Sequence, residues 1–173
     1  MKYNRTYTCH DPQIYATIVF MILFVISALS SCKHDDGPNI TASDIAGAKF
    51  TGTWVVDNNY TNSVTYNSTE SRTNYYADFS VTIDYTKGQN GGSYSTSGGM
   101  ESNSPWPVSG SWNFVSDSPD AGTFQVERDD QLLMDVSIED EAVILNFMFD
   151  EDLNSGGRVD ALTGNWTFRL IKQ

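Results

Sequence analysis

Cysteine and histidine are nearly missing from this sequence of 173 residues. The two cysteines, Cys9 and Cys32, flank the only long apolar run, and the two histidines, His10 and His34, stand beside them. Beyond His34 there is neither. That excludes Ser-His-Asp hydrolysis, Cys-His catalysis, cysteine zinc sites and histidine-ligated metals from the rest of the chain. It also argues against a disulfide framework, since Cys9 and Cys32 can pair only across the apolar run. Basic residues are scarce as well: 10 Lys and Arg face 22 Asp and Glu, a net charge of −12. No Lys/Arg cluster exists along the chain. Nucleic acid is therefore an unsuitable partner, and so is an anionic lipid surface held through a basic face, because both need clustered cations to displace counterions.

The one long apolar stretch, Ile14 to Leu29, follows a basic start at Lys2 and Arg5. As a helix it spans about 24 Å, short of the ~30 Å hydrocarbon core of a bilayer. A signal-peptide core fits it better than a membrane span. It ends in Leu29-Ser30-Ser31-Cys32, a branched apolar residue, two small residues and cysteine. This resembles the lipobox of bacterial lipoproteins. The resemblance implies cleavage before Cys32, diacylglycerol on its sulfur, and a further acyl chain on the new amino group. At about 0.8 kcal/mol per buried CH₂, one chain binds marginally and two or three hold firmly. Lys33, Asp35 and Asp36, interrupted by His34, are similar to the acidic export signal of Bacteroidetes-type lipoproteins. They also read as a plain solvated tether. The implied location is the outer membrane, lipid-anchored and exposed on the cell surface. The domain reading is a signal peptide over 1–31, a lipidated cysteine and flexible tether over 32–49, and a β-domain over 50–173. Within the tether, Gly37 to Asp44 reads as linker.

From Phe50 onward the hydrophobic period is two and no stretch reads as a convincing helix. Phe50 to Val56 is the first candidate strand. The strongest alternation sets Tyr75, Ala77, Phe79, Val81, Ile83 and Tyr85 on one face, with Tyr76 as the exception. Lys87 to Gly92 supplies turn chemistry, and Gly98 to Ser109, with two prolines around Trp106, is the longest loop. Strands follow around Trp112, Phe124 and Leu132 to Ile138. Ala142 to Phe149 is apolar except at Asn146, as in a strand covered on both faces or lying near a closed end. Gly164 to Lys172 is the last strand. Eight or nine short strands predict an all-β fold: an antiparallel up-and-down barrel of about eight strands, or alternatively a two-sheet sandwich.

Three of the four tryptophans sit in G-x-W, at Gly52-Thr53-Trp54, Gly110-Ser111-Trp112 and Gly164-Asn165-Trp166. They read as core plugs at strand starts. A G-x-W opening the first strand, another after a long loop, a ladder of hairpins and a last strand ending in Arg169-Leu170-Ile171-Lys172 resemble the lipocalin-like domains of small Bacteroidetes lipoproteins. That resemblance implies Arg169 packed over Trp54 at the closed end of the barrel. The second lipocalin signature, Thr-Asp-Tyr before the last strands, is missing from its place.

Chemistry-bearing candidates are few. Tyr75, Phe79, Ile83 and Tyr85 can line a cavity for a small apolar or sugar-like ligand, or simply fill a core. Asp150, Asp152 and Asn154 offer oxygen ligands at alternate positions, as calcium loops do, but an EF-hand wants Gly at Ser155 and Glu at Ala161. An acidic hairpin is the favoured reading there. Carboxylates such as Asp78 and Asp84 are candidates for hydrolysis, and a solvated strand face explains both. The expectation is a non-enzymatic binding or accessory module without a cofactor beyond its lipid. It meets the membrane through that anchor, with a small molecule as ligand and no nucleic acid. The alternative is an interaction subunit of an envelope protein complex, with a filled core.

Overall fold

Apolar and polar residues alternate from Gly52 onward as antiparallel strands in the computed structural model, which describes residues 39–98, 104–154 and 162–173. The strands are β1 (Gly52–Val56), β2 (Val64–Tyr66), β3 (Glu70–Ser71), β4 (Ser80–Tyr85), β5 (Gly91–Ser97), β6 (Ser109–Phe114), β7 (Thr123–Arg128), β8 (Leu133–Ile138), β9 (Ala142–Phe149) and β10 (Gly164–Lys172). Neighbours run β1-β4-β5-β6-β7-β8-β9-β10, and β10 pairs back onto β1. The result is a closed, eight-stranded antiparallel up-and-down barrel, and the sandwich alternative falls away. Inward positions follow the alternation: Trp112 and Phe114 on β6, Phe124 and Val126 on β7, and Trp166, Phe168 and Leu170 on β10 are all buried.

Closure depends on β10. One edge pairs with β9 from Gly164 opposite Phe149 to Ile171 opposite Ala142. The other edge is shared: β1 takes Leu170 to Lys172 and β2 takes Trp166 to Phe168. Between the two, the Arg169 amide donates to Ser63 O at 2.7 Å and its carbonyl accepts from Asp57 N at 3.3 Å. The excursion from Asp57 to Phe79, containing β2, β3 and a 3-10 helix over Thr73–Tyr76, thus folds back onto the seam.

Three local expectations are corrected. A helix, α1 (Ala42–Phe50), stands where the sequence reads as linker and strand start. The Thr41 hydroxyl accepts the Asp44 amide at 3.1 Å and Asp44 Oδ2 accepts the Thr41 amide at 3.0 Å, so each residue satisfies a donor of the other. The cap uses Asp where the common signature has Glu or Gln, which leaves the signal faint. Ser43, Ala46, Gly47 and Phe50 form the buried stripe. The compact unit runs from Ile40 to Gln173, so α1 belongs with the barrel rather than with the tether.

Secondly, the long alternation ending at Tyr85 is not one strand. The 3-10 turn interrupts it, and β4 begins only at Ser80. Three residues per turn invert the pattern there: Tyr76, the apparent exception, is fully buried, whereas Tyr75 is 55 % exposed. Thirdly, β9 is covered on one face only. Val143, Leu145, Phe147 and Phe149 point inward, while Met148 is 52 % exposed.

The strand directions place α1 at one end of the barrel, together with the turns before β5, β7 and β9. The connections leaving β1, β5, β7 and β9 lie at the other. We call these the helix end and the loop end. A short helix, α2 (Glu151–Asn154), follows β9 at the loop end.

Candidate functional site

A barrel of eight strands has room for packed side chains or for one small ligand. Here side chains take it. Trp106, carried by the connection between β5 and β6 and 1 % exposed, enters from the loop end. Its ring centroid lies 5.7 Å from those of Phe79, Phe147 and Phe168, and 6.1 Å from that of Tyr94. Edge-to-face contacts continue through Tyr76 to Phe168 at 5.1 Å and Trp166 at 6.0 Å. At the helix end, Phe50 meets Trp112 at 5.3 Å and Phe124 at 5.4 Å. Each such pair adds about 0.5–1.5 kcal/mol beyond area burial.

One charged group stands inside this aromatic lining. Arg128 ends β7 at an inward position and is 2 % exposed. Its Nε donates to Asp130 Oδ1 at 3.1 Å, and its Nη2 donates to Asp130 Oδ2 and, at 3.1 Å, to Pro105 O. The guanidinium carbon lies 5.1 Å from the Trp106 ring centre and 5.7 Å from that of Tyr94. Among the described residues, Arg128 Nη1 and Trp106 Nε1 find no acceptor. No motif in the sequence singles out Arg128. Its signal was the register Phe124-x-Val126-x-Arg128, which puts a cation on the apolar face.

The proposed ligand residues do not converge on one cavity. Phe79 and Ile83 are buried in the core. Tyr75 is corrected to the outside, where Arg72 lies 5.4 Å from its ring centre. Tyr85 sits at the helix end, its hydroxyl donating to Asp44 Oδ1 at 3.0 Å. Asp44 also accepts the Gly88 amide at 3.0 Å. The backbone and hydroxyl bonds from Thr41 and Gly88 hold its carboxyl well below the usual carboxylate range, while burial and the Asp44 charge push the Tyr85 phenol up.

The implied Trp54–Arg169 pair is also corrected. On β10, residues 166, 168, 170 and 172 share the inward parity, so Arg169 faces out. It pairs with Glu139 at 2.9 Å and Asp57 at 3.4 Å and lies 4.8 Å from the Tyr60 ring centre. Lys172, in register with Trp54, takes the place over the indole at 5.4 Å.

Asp150 stands just before α2, its Oδ1 accepting the Asp152 amide at 3.0 Å. No group of three His, Cys, Asp or Glu side chains suited to a metal occurs among the described residues. Asp78 and Asp84 are both exposed. Cys32, Lys33, Asp35 and Asp36 lie outside the described residues, as does the side chain of Asn154.

Open depressions mark the outer wall. One of about 380 Å³ over β7–β9 is lined by Thr123, Gln125, Asp135, Ser137 and Asn146 among others. A second, of about 330 Å³, is formed by Gln131, Leu133, Met148, Asp150 and Leu153. Hydroxyls, amides, carboxylates and exposed apolar side chains of this kind can bind a surface. No family model, curated protein or solved structure matches this chain.

Proposed function

We propose that the chain is a lipid-anchored, non-enzymatic lipoprotein of the bacterial outer membrane with a lipocalin-like barrel. In this reading it is an interaction subunit of an envelope protein complex, binding through its outer surface. The carrying observation is the position of Trp106: with four rings and a guanidinium packed around it, the space where a barrel would hold a ligand is occupied. The lipobox-like Leu29 to Cys32 supports the anchoring, and Lys33 with the acidic Asp35 and Asp36 supports the outer-membrane location. The exposed Leu133, Met148 and Leu153 on the outer wall support contact from outside.

A second reading, carriage of a small apolar or sugar-like ligand, draws on the unused buried donors Arg128 Nη1 and Trp106 Nε1. Titration of the wild-type domain with an apolar fluorescent probe and with simple sugars separates the two, because all four tryptophans are buried in the barrel. The interaction reading expects no saturable change in tryptophan emission. A saturable change at one site per chain would return the carrier reading. Anchoring is checked separately: Cys32→Ala should abolish lipid incorporation and release the chain from the membrane fraction.

A further inference from the structure

The helix end carries a feature that barrel packing does not require. On α1 the stripe Ser43, Ala46, Gly47, Phe50 faces the core, so the opposite stripe should be polar. Instead Ile45 is 48 % exposed, Ala48 is exposed, and Ile40, just before the cap, is 62 % exposed. The polar groups nearby are already engaged, since Asp44 is held by Thr41, Tyr85 and Gly88.

Lysines surround this apolar face. The described residues contain three, Lys49, Lys87 and Lys172, scattered in sequence and gathered by the fold around α1. Lys87 lines a cleft with Ile40 and Ala48, and Lys49 lines another with Lys172. The sequence excludes a basic face by the absence of any Lys/Arg run, and the fold brings together what the sequence separates. Glu139 and Asp140 share the second cleft, so the face is mixed in charge. It suits a zwitterionic interface better than an anionic one. Apolar side chains at headgroup depth, ringed by lysines that reach outward along their stems, are the ordinary means by which a helix lies on a bilayer.

The anchor brings this end to the membrane. Seven residues lie between Cys32 and Ile40, so the eight steps of chain span at most about 29 Å. A tether this short turns a weak contact into an intramolecular one. The loop end stands the barrel's height away, roughly 20 Å for a nine-residue strand tilted as barrel strands are.

We infer that the α1 end of the barrel rests on the lipid surface, with Ile40, Ile45 and Ala48 at the headgroup level and Lys49, Lys87 and Lys172 around them. The loop end and the outer wall are then presented away from the bilayer. This inference rests on lipidation at Cys32.

The test uses the lipidated mature chain in phosphatidylethanolamine–phosphatidylcholine vesicles. Ile45→Cys and, at the loop end, Val108→Cys are each labelled with a fluorophore; both sites are exposed, so folding should survive, and acylated Cys32 offers no thiol. Headgroup nitroxides should quench the Ile45→Cys label at least three-fold more than the Val108→Cys label. Equal quenching at the two sites, in a chain whose mass shows the acyl groups, would overturn the inference and leave the anchoring intact. A chain whose mass shows no acyl group would overturn both.

Discussion

The two ends of the barrel are sealed by the same tryptophan device and finished by different chemistry. At the helix end Trp54 donates its indole N–H to Phe50 O at 2.8 Å; at the loop end Trp166 donates to Leu162 O at 3.1 Å. Each reaches back four residues, across a glycine with positive φ, Gly52 at 142° and Gly164 at 157°. Because β1 and β10 run antiparallel, one motif caps opposite ends. What differs is the closure above it. A capped helix held by the buried Asp44 carboxylate covers one end, whereas a tryptophan-bearing loop and a buried ion pair close the other. The loop end therefore rests on packing around an ion pair, and the helix end on packing beneath a hydrogen-bonded carboxylate hub.

Truncating the loop-end plug should have the largest effect. Trp106→Ala is expected to cost about 4 kcal/mol in chemical denaturation, from lost burial plus an uncollapsed cavity. Next comes the ion pair: Asp130→Ala leaves the Arg128 guanidinium buried without its counter-charge and should cost about 3 kcal/mol. If both changes proved nearly neutral, the loop end would not be the packed one and the contrast would fail.

The helix end should respond to pH instead. Asp44 has a folded-state value below its unfolded one, so its stabilisation is present above about pH 4 and is lost as pH falls through the depressed value. Tyr85 is shifted up, so its contribution holds below about pH 10 and fades as the medium becomes more alkaline. Urea midpoints followed against pH should show Asp44→Asn less stable than wild type at neutrality, with the gap closing in acid. The smallest effect belongs to Lys172→Met, at most about 1 kcal/mol for the lost cation–π contact. The same change at Arg169 should leave the Trp54 environment unmoved, as read by its near-ultraviolet dichroism.

Much of the barrel was legible because strand alternation is a local property: Val81 and Ile83, or Trp166, Phe168 and Leu170, announce one buried face within a few residues. Where the chain changed period the reading failed. Tyr75 and Tyr76 exchange places because a single 3-10 turn shifts the phase, and α1 was hidden by a short length and an Asp-based cap. Parity separated Lys172 from Arg169, a distinction that a motif ending in both residues cannot make. Trp106 was the hardest. It belongs to a loop, where no periodicity tells inside from outside, and its burial depends on Phe79, just before β4, and on Phe147 and Phe168 from β9 and β10 far along the chain.

The shared edge of β10 carries a consequence for the order of folding. Its partners β1 and β2 lie early in the domain, and the Arg169–Asp57 bond across the seam joins residues 112 positions apart. The meander from β4 to β9 can assemble hairpin by hairpin, but the ring cannot close before β10 arrives, and its long-range contacts make closure the slow step. The barrel would thus stay an open sheet until β10 had been made.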